Sequence, residues 1–132
     1  MKAQFHLPEL PSTDAPVLDR QYISDLGEEL ESLPRALAFL SSYRELLPDR
    51  LASISSAVCA GDGDTATDRA ISLKVTSVMV GALQLAAYAE MLETRVGRGD
   101  WGGAELLLDV LERAAAAVQT ATEVVLHNIC RD

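Results

Sequence analysis

The feature that most constrains this chain is the run RAISLKVTSVMVGALQLA, residues 69–86. Its period is helical, about 100° per residue, yet it is apolar on two sides. Ala66, Ala70, Leu73, Ser77 and Val80 fall on one side, a stripe of small residues suited to close packing against other helices. Ile71, Val75 and Val78 follow each other at i, i+4 and i+7 on nearly the opposite side, with Lys74 beside them. A helix in a small domain ordinarily carries one apolar stripe and one polar face. The second stripe therefore needs a cover: another part of the chain or another protein.

The rest of the sequence sets helices around this run. Nearly half of the 132 residues are hydrophobic, and the commonest are Ala and Leu, both strong helix formers. The length suits one domain with a real core. Residues 1–16, MKAQFHLPELPSTDAP, have three prolines and no periodicity and read as an extended or mobile arm, with Phe5, Leu7 and Leu10 able to lie on the domain surface. Residues 17–132 read as the folded domain. Asp19 is placed to cap a short helix with Tyr22, Ile23, Leu26 and Leu30 on one face, although Gly27 weakens it. Ser32, Pro34 and Arg35 mark the next helix start. Leu37, Leu40, Tyr43, Leu47, Leu51, Ile54 and Val58 recur at threes and fours as far as Gly61, with Pro48 predicting a kink or break near residue 47.

A turn at GDGD, 61–64, precedes a helix starting near Asp64 or Thr65. Gly81 predicts a bend before Leu83, Leu85, Ala86, Ala89, Leu92 and Val96 carry the pattern on. GRGDWGG, 97–103, reads as a loop whose Trp101 packs on a bundle end. A last helix, about 103–128, has Leu107, Val110, Leu111, Ala114, Val118, Ala121, Val125 and Ile129 on or near one stripe. Long helices with short connections pack as antiparallel neighbours, so the expected fold is all-α: a four-helix bundle with a short N-terminal capping helix.

Charge narrows the partners. Eleven Lys and Arg stand against twenty Asp and Glu, for a net charge of −9, with no basic run. Nucleic acid and anionic membranes, which require clustered cations, are not expected partners. The start lacks the apolar core of a signal peptide, and no apolar run reaches the ~18 residues of a membrane span. Cys59 and Cys130 form no CxxC and read as buried or incidental reduced thiols. These features together predict a cytoplasmic protein. No metal-ligand spacing, cofactor motif or catalytic constellation is present, so no enzyme activity is expected. His127, near the end of the last helix, and His6, in the arm, have no supporting groups and read as ordinary histidines. Asp62, Asp64, Asp68, Glu90 and Glu93 read as solvated faces.

One family shares this order of elements. From Ala70 to Leu85 the chain reads A-I-S-L-K-V-T-S-V-M-V-G-A-L-Q-L, followed by MLE at 91–93. It resembles the histidine-containing phosphotransfer (HPt) domains of bacterial two-component phosphorelays, whose motif runs A-H-S-L-K-G-S, then a G-A pair, an L and a later L-E. LPDRLASI at 47–54 is similar to the family's Pro-then-RL segment, and GRGDW to its turn before the last helix. The resemblance covers about residues 17–128 and implies the HPt bundle. It also places the phosphorylated histidine on Ile71 and the following glycine on Val75. Isoleucine has no nitrogen lone pair to attack a receiver's aspartyl phosphate. Valine fills the gap that glycine leaves for the partner's loops. Lys74 matches the lysine that sits beside the phosphoryl group.

The resulting expectation is a phosphorylation-incompetent HPt-like protein that binds a receiver domain or a histidine kinase through Ile71, Lys74, Val75 and Val78, as adaptor or competitor. Two alternatives stand beside it. One is a working phosphotransfer protein that uses another residue, such as His127 or His6. The other is a self-associating module, a homodimer in which two copies bury the apolar patch. Fully burying the three apolar side chains contributes at most about 5–9 kcal/mol, and association entropy offsets much of that. Binding through the patch alone is then of order micromolar or weaker.

Overall fold

The computed structural model describes the backbone of residues 12–130 and the side chains of residues 12–128. Five helices follow in order: α1 Arg20–Glu29, α2 Leu33–Cys59, α3 Gly63–Val80, α4 Leu83–Gly97 and α5 Trp101–Cys130. The last four close a bundle in which α2 packs on α3, α3 on α4, α4 on α5 and α5 back on α2. Helix α1 lies across α2 and α3. No helix is long and apolar enough to cross a membrane, among the described residues.

Side-chain caps fix most helix starts. Asp19 accepts from the Gln21 N–H, Ser32 from Arg35, Asp62 from Thr65 and Asp100 from Gly103. Each satisfies one of the orphan donors of a first turn. Helix α4 has no such cap, and the Pro16 carbonyl takes the Gln84 N–H instead, at 2.9 Å. The segment before α1 is thereby tied to the bundle, with Val17 and Leu18 packed on the core. Residues 1–11 of the expected arm, including His6, Phe5, Leu7 and Leu10, lie outside the described residues.

The core is formed by the stripes read from the sequence. Leu40, Leu47 and Ile54 of α2 meet Leu73 and Val80 of α3, Leu85 and Leu92 of α4, and Leu107, Leu111 and Val118 of α5, all fully buried. The small-residue side of α3 is buried throughout at Ala66, Ala70, Leu73, Ser77 and Val80. That stripe is flanked by α2 and α4, the two bundle helices α3 packs against.

Three local expectations are corrected. Pro48 neither breaks nor ends α2, which runs through it. The proline removes one backbone donor, and the continuous buried face from Leu40 to Val58 holds the helix on either side. Gly81 is a full stop instead of a bend. Its φ of 84° is left-handed, and the Ala82 N–H closes back on the Ser77 carbonyl at 2.8 Å. Gly81 also lies against the Asp19 backbone, leaving no room for a side chain. Trp101 is the first residue of α5, where its half-buried ring lies against Gly63. Cys59 is a free thiol and exposed, while the Cys130 side chain is outside the described residues.

Candidate functional site

The outer face of α3 stays uncovered by any described residue. Ile71 is 38% exposed, Val75 50% and Val78 42%, and Met79, which the sequence reading passed over, joins them at 40%. The patch lies on the side of α3 opposite its buried stripe, as the helical period requires. It continues at its lower end into a shallow groove against α1, lined by Tyr22, Asp25, Leu26, Glu29, Val78 and Met79. The apolar stripe thus runs along α3 and ends at an acidic rim.

Lys74 borders the patch on the α4 side. Its Nζ donates to Glu93 Oε1 at 2.8 Å, both side chains being about 30% exposed. That hydrogen bond, with the negative potential of Glu93 and Glu90, raises the Lys74 pKa above the usual lysine value and keeps the ammonium charged. Glu93, read from the sequence as part of a solvated face, is instead the partner of this lysine.

The other border, toward α2, is polar as well. Arg50 Nη1 donates to Ser72 Oγ at 2.9 Å, tying α2 to the residue next to Ile71. Beneath the patch, Tyr43 Oη and Ser77 Oγ share a buried hydrogen bond of 2.7 Å. Burial pushes the Tyr43 phenol up to about 12, against the opposing effects of Ser77 and of the positive charge of Arg50. The sequence held a signal for this pair, since Tyr43 and Ser77 are the polar members of two apolar stripes that must face each other. Buried hydroxyls need partners.

His127, exposed in the last turns of α5, is remote from this face. Helix α5 packs on α2 and α4, across the bundle from α3. Among the described residues, no group of three or more His, Cys, Asp or Glu is arranged to hold a metal ion.

Comparison with solved structures identifies this architecture. The chain is similar to histidine-containing phosphotransfer protein B from Pseudomonas aeruginosa PAO1, with a TM-score of 0.78 and 30% identity over 87% of this chain and 98% of that one. The chain belongs to the histidine-containing phosphotransfer family. A second solved structure, the HPt domain of a sensor hybrid histidine kinase from Shewanella, has the same fold, with a TM-score of 0.71 and 18% identity over 85% of this chain and 95% of that one. No protein-family model and no curated protein matches the sequence. This HPt-family bundle carries no histidine on α3, whose exposed centre is Ile71, Val75 and Val78.

Proposed function

We propose that this HPt-family protein works by binding a receiver domain of a two-component pathway, without accepting a phosphoryl group. Ile71 stands at the position of the phospho-accepting histidine, and Val75 at that of the glycine one turn later. The observation that carries the reading is the uncovered apolar face of α3 at Ile71, Val75, Val78 and Met79 in a bundle of this family. Contiguous exposed apolar surface of this kind marks an interaction site.

The chemistry supports binding over transfer. Taking the phosphoryl group from an aspartyl phosphate requires a nitrogen lone pair to attack phosphorus while the P–O bond to the carboxylate breaks. The hydrocarbon side chain of Ile71 can do neither. Lys74 is neutralised by Glu93 in the free protein. A partner carboxylate would have to compete for it, so the lysine contributes orientation more than affinity. The docking energy then rests on the apolar patch and is of micromolar scale. Such a protein lowers the free concentration of a receiver, or holds it beside another protein, without draining its phosphate.

Competition is the test. A receiver domain phosphorylated with labelled phosphate is mixed with a phosphotransfer-competent HPt protein, with and without a molar excess of this chain. The expected result is slower transfer to the competent protein and no acid-labile label on this chain. Ile71→His/Val75→Gly should itself gain label. Label on the wild-type chain, or transfer at an unaltered rate under saturating excess, overturns the proposal.

A further inference from the structure

A second surface feature lies on the α2 side of the patch. The groove between α2 and α3 is lined by Leu46, Asp49, Arg50, Ser53, Arg69 and Ser72. It gathers two arginines and two hydroxyls in a chain whose net charge is −9. Arg50 makes no ion pair among the described residues. Its guanidinium is held in place by the bond from Nη1 to Ser72 Oγ. Its Nε is closed off from solvent and has no acceptor. A buried donor without an acceptor is costly, and costlier still on a charged group. Arg69 is half exposed, and its nearest carboxylate is that of its neighbour Asp68, 3.9 Å away. At that distance and exposure the pair contributes little and leaves the guanidinium available.

We propose that this groove is an oxyanion site, in which Arg50 and Arg69 hold a single carboxylate or phosphate group with Ser53 and Ser72 donating from its walls. Guanidinium groups match the two oxygens of such an anion, and both arginines line the groove. Asp49, on the same lining, and Asp68, 3.9 Å from Arg69, limit the site to one compact anionic group. The strongly negative remainder of the protein repels a polyanion. Ser72 is adjacent to Ile71 and Arg69 is two residues before it, so a bound anion lies beside the apolar patch. The site rests on its own residues and does not require that a receiver docks.

The free protein suffices for the test. The arginine Nε–H signals of 15N-labelled protein are followed during titration with potassium phosphate, and separately with potassium acetate, at ionic strength held constant with chloride. A saturable shift of the Arg50 and Arg69 signals is expected, with the midpoint raised on the order of tenfold in Arg69→Gln, as befits loss of a charged donor. Arg69 is exposed enough for this variant to keep the fold, which unchanged backbone amide shifts would verify. Saturation by phosphate alone assigns a phosphate site. Saturation by acetate, with or without phosphate, assigns a site that takes carboxylates. Absence of a saturable shift with both ions, or an unchanged midpoint in Arg69→Gln, overturns the proposal.

Discussion

Replacing Gly81 by Ala tests how the candidate face is held, and Gly61 supplies the control. Both glycines have left-handed backbones, with φ of 84° and 67°. An alanine there costs about 1–2 kcal/mol for the conformation alone. At Gly61 nothing lies within 4 Å of an added Cβ, so that is the whole expected cost. At Gly81 the added carbon meets the Asp19 backbone and the Tyr22 side chain, a wall that cannot rotate away. Relieving this overpacking costs about 1–3 kcal/mol. Moving Asp19 also breaks its 2.8 Å N–H bond to the Gly81 carbonyl, worth about 1 kcal/mol. The expected loss is therefore about 3–6 kcal/mol for Gly81→Ala. Urea unfolding of the three proteins measures it, and thermal midpoints should separate by roughly 4 °C per kcal/mol of difference. Hydrogen exchange in Gly81→Ala should show α1 losing protection first. If the two variants lose the same stability within about 0.5 kcal/mol, α1 is not clamped on the α3–α4 turn as described, and the reasoning fails.

The buried Tyr43–Ser77 pair gives further expectations. Ser77→Ala strands the phenol of Tyr43 and should cost about 1–3 kcal/mol, whereas Tyr43→Phe should cost less, because the Ser77 hydroxyl can turn back to a carbonyl of its own helix. The double variant should be more stable than the sum of the two losses predicts, and additive losses in a double-mutant cycle would count against the bond. In alkaline difference spectra one of the three tyrosines should titrate late, near 12. The folded state then holds a proton that the unfolded state has released above about 10, so stability falls as pH rises through that window. A single transition near 10 for all three would contradict the burial of Tyr43.

Much of this fold is legible in the sequence because helical burial obeys a simple period. The stripe from Ala66 to Val80 and the stripe from Leu40 to Val58 follow from residue spacing alone. Their partners in space do not. That Tyr43 meets Ser77, or Arg50 meets Ser72, depends on the register between α2 and α3, which no local pattern encodes. Pro48 misled as a possible break because the local cost of a missing N–H is smaller than the tertiary packing that keeps α2 one helix across it. Gly81 misled because a bend and a left-handed stop carry the same residue signature, and only the antiparallel packing of α3 on α4 decides between them. The apolar face was found from an excess, three large aliphatic residues where water was expected. Met79 escaped because it lies at the edge of that face, and the Lys74–Glu93 pair because its two members are on different helices.

The most direct measurement is a calorimetric titration of this protein with purified receiver domains, run beside Ile71→Glu. Saturable binding to a receiver is expected with Kd of order micromolar, weakened ~10-fold or more in the variant, as burial of one charged side chain at an apolar contact requires. Because Ile71 is exposed, the variant should keep the helix content and melting point of the wild type. No binding to any receiver, or equal binding by wild type and Ile71→Glu, would contradict the assignment of the α3 face as the docking surface.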